Sequence, residues 1–171
     1  MNINIFFTAI IALLLMILFL FKPIDMKKNN HGEIALLTLK NFKISELSKE
    51  KLSSVIIGET GTRYSDRYII DNLNYTDNEG EFLVNLKSKI GNYKNNILDL
   101  KGDVEYIRAD GLSFYSQRAI YNEKTKVVNT PVKYTSNMNG NRAKGSSIVY
   151  NSVTKVTKSK NITINYKIKE R

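Results

Sequence analysis

The sequence offers few side chains that could perform catalysis or hold a metal ion. It contains no cysteine and a single histidine, His31, which excludes thiolate chemistry, disulfide bonds and multi-histidine metal sites. Two carboxylate pairs, Asp99 with Asp103 and Glu79 with Glu81, fall on a charged strand face and in a turn, where both are expected to be solvated. Nucleophile-elbow, phosphate-loop and zinc-protease motifs do not occur. We therefore predict that the protein is not an enzyme and uses no metal or cofactor.

The basic residues suggest an acidic partner. The chain has 26 Lys and Arg against 16 Asp and Glu, for a formal net charge of +10. Most of this excess lies in residues 141–171, which hold eight cations and one acid, Glu170. The segment could face lipid phosphates or an acidic partner, or it could be a charged edge that discourages self-pairing. Tyrosines among lysines could also stack bases, but no nucleic-acid motif occurs, so we predict no nucleic-acid partner.

Apolar and charged residues alternate in a way that could line a lipid-binding surface. Leu98, Leu100, Val104 and Tyr106 share one face of a predicted strand, while the odd-numbered residues of 99–105 are charged. An ordinary sandwich core produces this pattern, and so does a groove for an acyl chain.

The lipid-binding interpretation assigns ten interior positions. They are Leu100, Val104, Tyr106, Leu112, Phe114, Val128, Val132, Tyr134, Ile148 and Tyr150. Phe114 and Tyr121 have opposite parity, so a β-bulge between them would change which residues of that stretch face inward.

Internal repeats indicate how the strands are arranged. Tyr121 and Asn122 recur 29 positions later as Tyr150 and Asn151, and Tyr93 precedes Tyr121 by 28 positions. Each copy contains two short β-prone runs separated by a turn, so we predict a stacked series of hairpins in an antiparallel all-β domain. Turns are predicted at residues 75–80, 91–92, 109–111, 121–125, 137–140 and 150–154.

The N-terminal segment has a different character. Residues 3–21 are apolar except for Asn4 and Thr8, and at about 1.5 Å per residue they would span roughly 28 Å as a helix. We predict a transmembrane anchor at 1–22, a polar linker at 23–32 and a β domain at 33–171. A cleaved signal peptide is the alternative, although a small-residue cleavage motif is absent. Lysines occur only after the helix, so the positive-inside rule alone would place the β domain in the cytoplasm. Only two residues precede the apolar run, so the N-terminal tail could cross the membrane at little cost and the flanking charges leave both topologies open.

A family resemblance appears in the repeated part of the chain. The run YKNNILDLKGDV at 93–104, followed by Asp110-Gly111-Leu112 and by RAIYN at 118–122, resembles the repeat of OstA/LptA-type lipopolysaccharide transport proteins. With one N-terminal anchor and about 140 further residues, the chain is similar to the LptC family. The resemblance is strongest from Gly91 to Tyr166, and it depends on order, size and repeat together.

The resemblance implies an inner-membrane, single-pass protein with a twisted β-jellyroll in the periplasm. Such a protein would receive lipopolysaccharide from the ATP-binding cassette transporter LptB, LptF and LptG, and would pass it to an LptA-like protein. Acyl chains would lie inside the jellyroll, while phosphates and sugars would remain exposed to solvent. Jellyrolls of this kind join edge to edge, and the candidate pairing edge is Asn161, Ile162, Thr163, Ile164, Asn165 and Tyr166, within a strand predicted at 161–168. The alternative function is an anchored scaffold that recruits partners by strand pairing without binding lipid.

Overall fold

The computed structural model describes residues 34–48 and 51–167, which form one antiparallel sheet of 12 strands. The all-β antiparallel class predicted from the sequence is therefore confirmed. The strands are β1 (Leu37–Ser48), β2 (Lys51–Arg63), β3 (Tyr68–Asp77), β4 (Val84–Lys94), β5 (Ile97–Arg108), β6 (Ser113–Asn122), β7 (Val127–Thr130), β8 (Tyr134–Met138), β9 (Asn141–Gly145), β10 (Ser147–Asn151), β11 (Thr157–Lys160) and β12 (Thr163–Asn165).

The predicted anchor at 1–22 and the predicted linker at 23–32 lie outside the described residues. Within 34–48 and 51–167, no helix has the length and hydropathy needed to cross a membrane.

The sheet is divided by a continuous line of interrupted pairing, which we call the crease. In each of β1–β6, one to three residues are left out of the ladder register, and the residues between β7 and β8, between β9 and β10 and between β11 and β12 continue the same line. Several of them have a left-handed backbone, with φ of 47° at Asn41, 50° at Asn72 and 49° at Asn161. The crease consists of Asn41, Glu59, Asn72, Lys89, Gly102, Asp103, Gln117, residues 131–133, Ser146, Asn161 and Ile162.

Polar side chains along the crease replace part of the missing ladder. Gln117 donates from Nε2 to Asp103 Oδ1 at 2.9 Å. The buried hydroxyl of Ser116 donates to the carbonyl of Lys133 at 2.9 Å. Because buried backbone oxygens need a donor, the Ser116 hydroxyl stabilises an interruption that would otherwise be costly, while the Gln117–Asp103 hydrogen bond links β6 to β5 by their side chains.

On either side of the crease the sheet forms two leaves. Leaf A contains β7, β10, β11 and residues 37–40, 60–63, 68–71, 90–94, 97–101 and 118–122. Leaf B contains β8, β9, β12 and residues 42–48, 51–58, 73–77, 84–88, 104–108 and 113–116. One apolar cluster joins them, since Leu100 and Ala119 of leaf A pack with Leu73 and Val104 of leaf B.

The repeated turns share one local structure. The Asn122 Oδ1 accepts the backbone N–H groups of Lys124 and Thr125, both at 3.0 Å. The Asn151 Oδ1 accepts those of Val153 and Thr154 at 2.9 and 3.0 Å. The sequence repeat therefore encodes matching hairpin turns.

The turn predicted at Gly91-Asn92 is wrong, because both residues lie inside β4. Gly91 is required there by close packing. A Cβ at this position would come within 2.9 Å of Leu73 Cδ2.

Candidate lipid-binding interior and sheet edges

All ten predicted interior residues are buried or half-buried, but the extent of their burial differs. Leu100, Val104 and Tyr134 are buried, with exposures of 3%, 2% and 4%. The other seven are half-buried: Tyr106, Leu112, Phe114, Val128, Val132, Ile148 and Tyr150. Whether these side chains contact lipid stays a prediction.

Two cross-strand rows extend the interior away from the crease. In leaf A the row is Tyr93, Leu98, Tyr121, Val128 and Tyr150. In leaf B the row is Ile56, Tyr75, Leu86, Tyr106 and Phe114. Residues in such rows are neighbours on one face of a sheet, so each leaf presents a continuous apolar and aromatic inner surface.

The predicted β-bulge lies at the crease in β6, where the inward-facing residues change from even-numbered to odd-numbered positions. The buried residues Ser116 and Ala119 lie on either side of Gln117, where two residues of β5 oppose one of β6. Phe114 in leaf B and Tyr121 in leaf A therefore both follow the inner face.

Two predicted interior residues are not on strands. Leu112 precedes β6, and its carbonyl accepts the backbone N–H of Arg108 at 2.8 Å. Val132 lies within the crease between β7 and β8, following Pro131, which has no N–H to donate to a ladder. Val132 follows Val104 by 28 positions, which is the spacing of the sequence repeat, but unlike Val104 it does not lie in a strand.

The first half of the sheet supplies interior residues that sequence analysis missed. Ile56, Ile70, Leu73, Tyr75 and Leu86 belong to or pack against the core cluster. The family resemblance is weak in this region, but Leu73 and Tyr75 alternate with polar neighbours and could have been identified from that pattern.

A charged residue, Arg108, is the last of the inward-facing residues of β5 in leaf B. Arg108 follows Val104 and Tyr106 at the end of β5, and it donates to both oxygens of Asp110 at 2.8 and 2.6 Å. Its guanidinium also lies 5.4 Å from the ring centroid of Phe82. These hydrogen bonds from Arg108 lower the pKa of the Asp110 carboxyl, while burial raises the pKa of the Tyr106 phenol.

We expect Asp110→Asn to lower the melting temperature of the protein at pH 7 by a few degrees. The folded-state pKa of Asp110 lies below its usual 3.8, so the stabilisation is present above about that pH and is lost as the pH falls further. Thermal melts at pH 7 and at pH 3 should therefore show the difference from wild type shrinking in acid. Asp71→Asn is the control, because Asp71 has no ion pair among the described residues. An equal difference at both pH values would contradict the prediction.

The C-terminal edge differs from the single strand predicted at 161–168. Asn161 and Ile162 belong to the crease, where the positive φ of Asn161 ends β11, and only Thr163–Asn165 form β12. Tyr166 follows the strand and is 74% exposed, and residues 168–171 lie outside the described part. The edge is thus split, since β11 ends leaf A and β12 ends leaf B.

The opposite edge of the sheet is β1, and it is unusually apolar for an exposed strand. Leu37 is 50% exposed, Ile44 49% and Leu47 77%. Phe42 anchors this strand, since its ring lies against Gly58 and Gly61 of β2, where a Cβ would come within 2.7 Å of it. An exposed apolar edge strand with free backbone groups is a natural site for pairing with another chain.

Comparisons with known proteins give three findings. A family model described as "Lipopolysaccharide-assembly, LptC-related" matches residues 7–166. No curated protein matches the chain. Among solved structures, the chain is similar to LptH, the LptA homologous periplasmic component of the conserved lipopolysaccharide transport device from Pseudomonas aeruginosa. That similarity has 10% sequence identity and a TM-score of 0.44, and it covers 77% of this chain and 94% of LptH.

Proposed function

Because the chain belongs to the LptC family of lipopolysaccharide-assembly proteins, we propose that it is a conduit for lipopolysaccharide between two transport components. It receives lipopolysaccharide extracted from the inner membrane by the LptB, LptF and LptG transporter and passes it to an LptA-like periplasmic protein. The acyl chains lie between leaf A and leaf B. The transporter's ATP supplies the energy, so this chain needs no active site.

The observation that carries this proposal is the small number of buried apolar side chains. Within residues 34–48 and 52–167, only Leu73, Leu100, Val104, Ala119 and Tyr134 are buried apolar residues. Four of them form one cluster beside the crease, while inner residues farther along each leaf, such as Phe114 and Val128, are half-buried. Native interiors are close-packed, so an inner surface left partly open is suited to accept a guest.

The proposal includes a membrane anchor at 1–22, a linker at 23–32 and a periplasmic β-jellyroll at 33–171. Under this arrangement the protein is a single-pass inner-membrane protein. Strand pairing at the sheet edges joins the jellyroll to its neighbours, with β12 and the exposed residues around it as the contact with the LptA-like protein.

A membrane-anchored scaffold without lipid is the alternative. It would use the same edges but would keep the space between the leaves filled by its own side chains. The two functions therefore differ in what contacts the inner rows, not in which partners assemble.

Photocrosslinking in cells tests the conduit, with a photoreactive residue at an inner position and at its outward neighbour. Tyr106 and Val128 are inner positions, and Ile107 and Asn129 are their matched controls on the opposite face. We expect ATP-dependent lipopolysaccharide adducts at Tyr106 and Val128 and none at the controls. Adducts to proteins alone, from all four positions, would refute the conduit and leave the scaffold.

A further inference from the structure

The last third of the described sheet has an unusual charge distribution. From Lys124 to Lys167 the chain contains nine Lys and Arg and no Asp or Glu. In the strands before it, several cations form ion pairs with neighbouring carboxylates, as in Lys87–Glu105 at 3.4 Å and Arg118–Asp99 at 3.0 Å. The second half of each leaf therefore carries positive charge with no carboxylate of its own strands beside it.

Three of these cations line one groove, which we call the cationic groove. It has a volume of about 570 Å³ and is lined by Lys133, Tyr134, Thr135, Arg142, Lys144, Gly145, Ser146, Asn161, Thr163 and Asn165. The groove therefore runs from the crease along β8, β9 and β12. Its lining has no carboxylate.

The cationic groove lies on the outer face of leaf B. Tyr134 points toward the interior, because its hydroxyl contacts Ser159 of leaf A at 2.8 Å. Thr135 is the next residue, so it faces the other way; its ladder neighbour Lys144 and the neighbour of Lys144 in β12, Thr163, face the same way as Thr135. The groove is thus separate from the apolar inner rows.

We infer that the cationic groove binds a phosphorylated saccharide. Arg and Lys side chains recognise phosphate by charge-assisted hydrogen bonds. The neighbouring hydroxyl and amide groups of Thr135, Thr163 and Asn165 match the hydroxyls of a sugar. A volume of about 570 Å³ exceeds what one phosphate fills and is typical of a site for a larger ligand.

The ligand we assign is the phosphate-bearing headgroup of the transported lipopolysaccharide, and this assignment rests on the proposed function. A flat anionic membrane is the less suitable occupant, because the cations line a recess whose remaining groups are uncharged hydrogen-bonding side chains. The inner rows would then hold acyl chains while a separate outer site holds phosphate and sugar.

Binding of a chemically deacylated, phosphorylated lipopolysaccharide saccharide tests the inference, using the full chain in detergent micelles at low salt. We expect saturable binding that the double substitution Arg142→Gln, Lys144→Gln weakens at least about tenfold. Lys124→Gln with Lys158→Gln removes the same charge outside the groove and should leave the affinity unchanged. The dephosphorylated saccharide should bind at least about tenfold more weakly. Melting temperatures of all variants verify that they are folded, and Lys133→Gln provides a second, single-site variant.

Three results would overturn the inference. The first is no saccharide binding by the wild-type chain, and the second is equal weakening by the control pair, which would indicate nonspecific attraction to net charge. The third is that phosphatidylglycerol vesicles, but not the saccharide, bind in a manner that depends on Arg142 and Lys144, which would reassign the groove to a membrane surface. The acyl-chain conduit is judged separately, since lipid adducts at Tyr106 and Val128 do not require this groove.

Discussion

Substituting Val104 with aspartate is expected to lower the free energy of unfolding by about 4 kcal/mol or more, because it would bury an unpaired charge. Val104 is 2% exposed and packs with Leu73, Leu100 and Ala119 where the two leaves meet. The total stability of a domain is about 5 to 15 kcal/mol, so most of the variant protein should be unfolded or degraded in cells. Chemical denaturation followed by circular dichroism measures the change.

Val149→Asp is the matched control for this experiment. Val149 is 39% exposed and lies on β10, on the face opposite Ile148 and Tyr150. The same chemical change should cost less than about 1 kcal/mol there, because the carboxylate stays in water. Equal losses at the two positions would mean that the interior is not organised around the crease as described.

Proline in β12 should reduce binding to the LptA-like protein at least about tenfold while leaving the domain folded. Along an antiparallel edge strand, the N–H groups point alternately toward the neighbouring strand and toward the free edge. Of Ile164→Pro and Asn165→Pro, one therefore removes an outward donor that an added strand would use, and the other removes a bond to β9. The variant that removes the outward donor should weaken association without a change in melting temperature. The variant that removes the bond to β9 should lower the melting temperature.

Association is measured with both purified proteins, and Val149→Asp serves again as a variant expected to bind normally. Unchanged association in both proline variants would show that β12 is not the pairing edge. Loss of association only after substitutions in β1 would instead assign the LptA-like protein to the apolar N-terminal edge.

Much of the sheet was predictable because the pleat imposes a strict period on the sequence. The alternation from Leu98 to Tyr106 placed Leu100 and Val104 in the interior, and the repeated Tyr-Asn pairs marked matching hairpin turns. These signals are local, so they survive without knowledge of the fold.

Only the passage of the crease through β6 was predicted, as the bulge between Phe114 and Tyr121. The other crease residues resemble ordinary surface positions when viewed one strand at a time, and Asn72 and Ser146 acquire their meaning only when neighbouring strands are aligned. The turn predicted at Gly91-Asn92 is wrong for the same reason, since the side chain that excludes a Cβ at Gly91, that of Leu73, comes from another strand. The cationic groove likewise depends on the register of β8, β9 and β12, and the basic composition alone left its location open.

The crease also determines how the molecule can deform. Within each leaf the strands are joined by hydrogen-bond ladders, whereas at the crease the register of β1–β6 is interrupted and side-chain contacts such as Gln117–Asp103 link neighbouring strands. The crease can therefore act as a hinge, so that bending is concentrated along it while each leaf remains rigid. Ligands of different thickness could be accommodated by a change in the angle between the two leaves at the crease. No strand would have to lose its hydrogen bonds to the neighbouring strand.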